Sequence, residues 1–125
     1  MAEHFPELCP TRVVFDILGD KWSLLAIRTL CTGGMRNSEL MRAMPGISPK
    51  MLAQTLRALV RDGLVARTDF HEVPPRVEYR LTPLGASLRP PLETLSAWAD
   101  AHHREIDAAR AAYDASAIAD GSQPA

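Results

Sequence analysis

A mainly helical fold carrying one small β-hairpin is what this sequence predicts, and three observations predict it. Apolar residues recur at intervals of three and four in five separate stretches. Most of those stretches begin at a capping residue and end at a Gly or Pro break. Between the fourth and the fifth lie two short strand-forming segments, separated by a loop that holds two prolines.

Thr11 to Leu18 places Val14, Phe15 and Leu18 at helical spacing, with Thr11 as cap and Gly19 as stop. Asp20 caps a second helix whose apolar face includes Trp22, Leu25, Ala26 and Leu30, ending near Thr32 before the Gly33-Gly34 break. Asn37 reads as the cap of a short third helix through Met44, with Leu40, Met41 and Met44 on one side and Pro45-Gly46 closing it. Ser48-Pro49 then joins a good N-cap to proline at the first helical position, where its missing N–H costs nothing. This fourth helix runs to about Asp62, and Gly63 stops it. Two short helices joined by a tight Gly-containing turn, the second longer and better capped, form a helix-turn-helix candidate.

Leu64 to Phe70 is rich in strand formers, and Val77 to Leu81 alternates with Val77, Tyr79 and Leu81 on one face. The connecting residues His71 to Arg76 make a hairpin loop stiffened by Pro74 and Pro75, so the segment is a wing. Thr82 caps a last helix with Pro83 in its first turn; Leu84, Leu88, Leu92, Leu95 and Trp98 recur along it, and it continues through Pro90-Pro91 with a kink. The expected layout is an N-terminal arm with Cys9 (1–10), a winged helix-turn-helix core (11–82), a dimerisation helix (83–113) and a disordered tail (114–125). The leucine stripe, with helix one and its Phe15, exceeds what one small winged domain can cover. A homodimer through the terminal helices is therefore expected, with Phe15, Leu88, Leu92, Leu95 and Trp98 at its interface.

Composition sets the class. A chain of 125 residues with 46% hydrophobic content is the size of one compact domain. It has no run of 18 apolar residues, and its first dozen residues lack a signal peptide's basic and apolar regions, so a soluble cytoplasmic protein is expected. Cys9 and Cys31 are too few for a disulfide framework. The net charge of -1 hides an asymmetry: Arg36 to Arg80 holds eight Lys or Arg against five acids, whereas Leu81 to Ala125 holds three against six. A basic middle fits phosphate contacts, and so does an ordinary solvated surface. The chain carries no P-loop, no dinucleotide glycine fingerprint and no His/Cys set at zinc spacing, which argues against an enzyme, a cofactor or a structural metal. Cys9 as a thiol nucleophile lacks a paired base nearby in sequence. His4, His102 and His103 gathered at a dimer interface would make a metal site, but a solvated histidine pair is the simpler reading.

Helical geometry assigns the faces of the fourth helix. Leu52, Leu56 and Leu59 line one side and belong to the core; Lys50, Gln54, Arg57 and Arg61 collect opposite, flanked by Met51 and Ala58. Near the N-terminus of a recognition helix, Gln54 suits an adenine edge and Lys50 a guanine or a phosphate, while Arg57 and Arg61 suit phosphates. Ser48 can cap the helix and also face a phosphate. Arg36 joins this DNA-binding set. Two readings stand for the wing: His71 and Arg76 contact DNA, or Arg76 pairs with Glu72 or Glu78. Trp22, Trp98 and Tyr79 are core or dimer aromatics, with an effector pocket as the alternative.

At this point the sequence resembles the HxlR family of winged-helix regulators. The resemblance rests on Cys9-Pro10, on Gly19-Asp20-Lys21-Trp22, on Pro45 through Leu52, on Asp62-Gly63-Leu64-Val65 and on Val73 through Thr82, in order and spanning roughly Cys9 to His103. Members usually carry an aromatic residue where this chain has Asn37. The resemblance implies a dimer that binds operator DNA and controls transcription, often in response to a small-molecule, electrophile or oxidative signal. It also implies a role for Cys9, since some members sense such signals through a cysteine at this place. Arg12 and the nearby helix N-terminus would favour a Cys9 thiolate. A two-fold dimer should read an inverted repeat in double-stranded DNA with half-sites about 34–36 Å apart, or a multiple of that. The rival class is a winged helix kept for protein interaction, or a metal-responsive regulator without redox sensing.

Overall fold

Helices in this chain start where a side chain can satisfy their first N–H groups. In the computed structural model, which describes residues 10–119, the Asp20 carboxylate accepts from the N–H groups of Trp22 and Ser23 (3.0 and 3.3 Å) and opens α2, Lys21–Leu30. Ser48 Oγ accepts from Met51 N–H at 3.0 Å and opens α4, Pro49–Arg61, with Pro49 in the first turn. The end of α4 is equally well made. Gly63 takes φ +77°, and the N–H groups of Gly63 and Leu64 bond back to the carbonyls of Val60 and Leu59, a Schellman closure.

Three starts differ from the sequence reading. Among the described residues helix α1 spans Pro10–Leu18, so Thr11 lies inside it and does not cap it. Helix α3 is Asn37–Ala43: its N-cap is Arg36 rather than Asn37, and the Glu39 carboxylate reaches back to the Arg36 N–H at 2.9 Å. The expected kinked last helix is two helices, α5 (Pro83–Ala86) and α6 (Arg89–Ala119). Pro90 and Pro91 fall in the first turn of α6, where no carbonyl waits for their missing N–H groups, so they start a helix instead of bending one. Helix α6 also continues to Ala119, past the expected end near Tyr113. Helix α2 stops at Leu30, short of Thr32.

The hairpin is present as β2 (Val65–Asp69) and β3 (Val77–Leu81), paired antiparallel from Val65 opposite Leu81 to Asp69 opposite Val77. A third strand was not anticipated. Met35 and Arg36 form β1, opposite Tyr79 and Glu78, giving the order β1-β3-β2. Two residues are too few for any periodicity to register, and the Gly33-Gly34 break reads locally as a turn alone.

The described residues divide into two compact units that meet between Arg89 and Pro90. In the first, Ala26, Ile27 and Leu30 from α2, Leu40 from α3, and Leu52, Leu56 and Leu59 from α4 are buried. Met44 and Ile47 close the turn between α3 and α4 from inside, and Leu64 and Val65 seat the sheet. Each of the buried leucine, isoleucine, methionine and valine side chains stabilises the unit by roughly 1.5–3 kcal/mol. The buried face of α2 is Ser23, Ala26, Ile27 and Leu30; Leu25, expected inside, is exposed. At the junction of α4, β2 and α5, Thr82 Oγ1 donates to the Gly63 carbonyl (2.6 Å) and accepts from Gly85 N–H (3.0 Å). Gly85 packs there directly on the Leu64 carbonyl.

In the second unit α6 has one buried side chain, Leu92. Leu95, Trp98, Ile106 and Tyr113 are exposed, and the Trp98 and His102 rings meet at 4.8 Å. Successive 100° steps put Leu95, Trp98, His102, Ile106 and Tyr113 within an arc of about 80°, so they form one stripe along the helix.

Candidate nucleic-acid interface

Four leucine-family and small positions set the direction of α4. Leu52, Thr55, Leu56 and Leu59 are buried at helical spacing, which turns Lys50, Gln54, Arg57 and Arg61 outward, all four exposed. Met51, 38% exposed, lies beside them and offers a thioether at the N-terminal end of the helix. The turn residues Met44 and Ile47, both buried, fix α4 against α3. Among the described residues no carboxylate lies within ion-pair distance of Lys50, Arg57 or Arg61. A helix face with three unneutralised cations and a glutamine amide is therefore available to an anionic, hydrogen-bonding partner.

The wing is differently built. Arg76 is stacked over the Phe70 ring at 3.8 Å and lies 3.4 Å from Glu72 and 3.8 Å from Glu78. Its side chain is only 31% exposed. Of the two readings left open for Arg76, pairing with Glu72 and Glu78 describes the chain by itself: its guanidinium braces the hairpin from within. Arg80 also meets Glu78, at 3.6 Å. His71 projects from the loop with its side chain 86% exposed, and its N–H is fixed by Asp69 Oδ1 at 2.8 Å. Arg36 is exposed at the start of α3, paired in the backbone with Glu78 of β3.

Between α4 and the sheet runs a cleft of about 750 Å³. Leu56 lies at its floor and Ala53 and Val60 along α4; Tyr79 of β3 and Asn37 of α3 complete the apolar and amide walls. Arg57, Arg61 and Arg67 bring three guanidinium groups to it. Arg67 was not singled out from the sequence. The signal was the strand register: Arg67 stands directly opposite Tyr79, so both project to the same face of the sheet. Of the three aromatics weighed as pocket residues, Tyr79 alone lines this cleft; Trp22 lies under the Lys21 ammonium, and Trp98 belongs to the α6 stripe.

The remaining expected sites fall as follows. Phe15 is 50% exposed on α1, beside exposed Val13 and Val14. Leu95 and Trp98 are exposed, Leu88 is half-buried, and Leu92 is already buried in the single chain, so Leu92 offers a partner little surface. Cys9 lies outside the described residues, and Cys31 is a free, half-buried thiol. His102 and His103 pair along α6 with Glu105 and Asp107 at 3.0 and 3.8 Å; among the described residues no three metal-ligating side chains come together.

Comparison with known proteins agrees with this architecture. Residues 17–107 match the HxlR-like helix-turn-helix family. The uncharacterised HTH-type transcriptional regulator YkvN of Bacillus subtilis is 42% identical over 106 residues, covering 85% of this chain and 89% of the relative. A solved structure described as the transcriptional regulator YtfH of Salmonella typhimurium is 39% identical, with a TM-score of 0.74 over 88% of this chain and 98% of that one. The redox regulator HypR in its reduced form superposes with a TM-score of 0.75 at 33% identity, covering 80% of this chain and 99% of that one. The chain belongs to the HxlR-like helix-turn-helix family, and is a transcriptional regulator of the winged-helix type rather than an enzyme.

Proposed function

We propose that this regulator binds an inverted-repeat operator in double-stranded DNA as a cytoplasmic homodimer, with α4 of each protomer in the major groove. The carrying observation is the outer face of α4, where Lys50, Gln54, Arg57 and Arg61 project without acidic partners among the described residues from a helix locked by its cap and its buried leucines. Gln54 reads a base edge, Met51 packs against a thymine methyl, and Lys50 reaches a guanine or phosphate. Arg57, Arg61 and Ser48 hold phosphates; Arg36 and His71 add backbone contacts on either side. Arg76 contributes by bracing the wing. The dimer uses α1, with Phe15, and the exposed stripe of α6, with Leu95 and Trp98. In the layout we propose, residues 11–82 are the DNA-binding core and the last long helix carries dimerisation.

The likeness to HypR favours a second element, an oxidant or electrophile signal received at Cys9. Oxidation would join two Cys9 thiols across the dimer, or one to a small thiol, the oxidant taking two electrons and the two protons being released.

Selection of bound duplexes from a random pool tests the proposal. An inverted repeat with half-site centres about 34–36 Å apart, or a multiple of that, is expected. A single unrepeated site, or no enrichment, would contradict it. On the selected operator, diamide should change the affinity of the parent and leave Cys9→Ser unaltered; equal responses in both would remove Cys9 as the sensor.

A further inference from the structure

The outer face of α4 does not account for the cleft beside it. Leu56, Val60 and Tyr79 give apolar walls on opposite sides, one from the helix and one from the sheet, while Arg57, Arg61 and Arg67 surround them with positive charge. None of these three guanidinium groups has a carboxylate within ion-pair distance among the described residues. Arg76, just ahead of β3, and Arg80 within it are by contrast paired with Glu72 and Glu78. A cleft of about 750 Å³ is large enough to take a small organic ligand.

We propose that this cleft binds a planar aromatic carboxylate, and that its occupation weakens operator binding. The chemistry follows from the lining. An aromatic ring fills the space between the α4 side chains and Tyr79, and a carboxylate matches the planar donor fork of a guanidinium. Arg67 is outside the set assigned to DNA, whereas Arg57 and Arg61 are shared. The competition therefore rests on the reading of Arg57 and Arg61 as phosphate contacts; the binding of the acid does not. A ligand carboxylate held by Arg57 or Arg61 removes a cation from the phosphate backbone, so acid and DNA disfavour each other by linkage.

Calorimetric titration of the full chain with 1-naphthoate, 1-naphthamide and inorganic phosphate, without DNA, tests the site. Saturable binding of 1-naphthoate is expected, with the amide and phosphate each at least about tenfold weaker. Arg67→Ala should weaken the acid about tenfold, and Asn37→Phe, which fills the cleft, should abolish its binding. Both variants should keep ligand-free operator affinity within about twofold. In the second arm, naphthoate at ten times its dissociation constant should raise the apparent operator Kd about tenfold. No binding of 1-naphthoate at millimolar concentration would overturn the proposal. Equal binding of naphthamide or phosphate would also overturn it, as would binding indifferent to both substitutions. Binding without any effect on the operator would overturn the competition. A failure of the DNA-contact reading shows separately, as absent operator binding in the ligand-free arm.

Discussion

Trp98→Glu should convert the proposed dimer to a monomer in solution and lower its affinity for a two-half-site operator by about 10²- to 10⁴-fold, the gain that linking two binding modules supplies. The argument starts from exposure: Trp98 is 55% exposed and Leu95 49%, and with Ile106 and Tyr113 they run along one side of α6. A tryptophan buried in an interface contributes among the largest single-residue terms, and a glutamate there would have to be desolvated without a partner. Such a change leaves α4 untouched, so binding to one half-site should persist at the weak level of a single protomer. Light scattering and operator titration read the two effects independently. A Trp98→Glu protein that remains dimeric and binds normally would place the interface elsewhere.

Gly85→Ala should destabilise the first unit by about 1–3 kcal/mol, even though α5 is helical and alanine is the better helix former by about 1 kcal/mol. The two effects oppose each other, and sterics win. A methyl at residue 85 would overlap the Leu64 carbonyl oxygen and come within 3.2 Å of Leu81 Cδ2. The carbonyl cannot swing away cheaply, because it accepts from Thr82 N–H at 3.1 Å. Relief therefore requires moving α5 off the start of β2, which disturbs the Thr82 bonds that tie the sheet to the end of α4. Thermal unfolding should show a midpoint several degrees lower. An unchanged or raised midpoint would mean that α5 is not held against Leu64 in solution.

How far the sequence disclosed this architecture depends on the range of the forces involved. Ser48, Pro49, Gly63, Asp20 and Thr82 act on backbone groups within a few residues, and each does in the structure what its position implies. The faces of α4 were legible for the same reason: thirteen residues give enough turns for Leu52, Leu56 and Leu59 to point one way. Contacts that join distant segments were not legible. Strand β1 exists because β3 offers an edge to Met35 and Arg36, and nothing in two residues announces that. Leu25 faces outward because α2 packs through Ile27, a choice made by its neighbours and not by its own pattern. At Asn37 the carboxylate of Glu39 bonds one residue earlier, so the cap is Arg36. The α6 stripe was legible only as far as Trp98; Ile106 and Tyr113 extend it at the same spacing, diluted in sequence by alanines and charges. Arg67 needed the register of β2 on β3 before it could be placed beside Arg57 and Arg61.

The central claim, that the outer face of α4 reads sequence while its arginines hold the backbone, is tested most directly by titrating Gln54→Ala and Arg61→Ala on the operator and all its single-base variants at several salt concentrations. Gln54→Ala should lose about 1–3 kcal/mol of discrimination at one position of each half-site and keep it elsewhere. Arg61→Ala should weaken every duplex alike and flatten the salt slope by about one unit for each phosphate that the guanidinium no longer neutralises. If Gln54→Ala weakens all duplexes equally, or leaves every preference intact, α4 does not read the groove through this face.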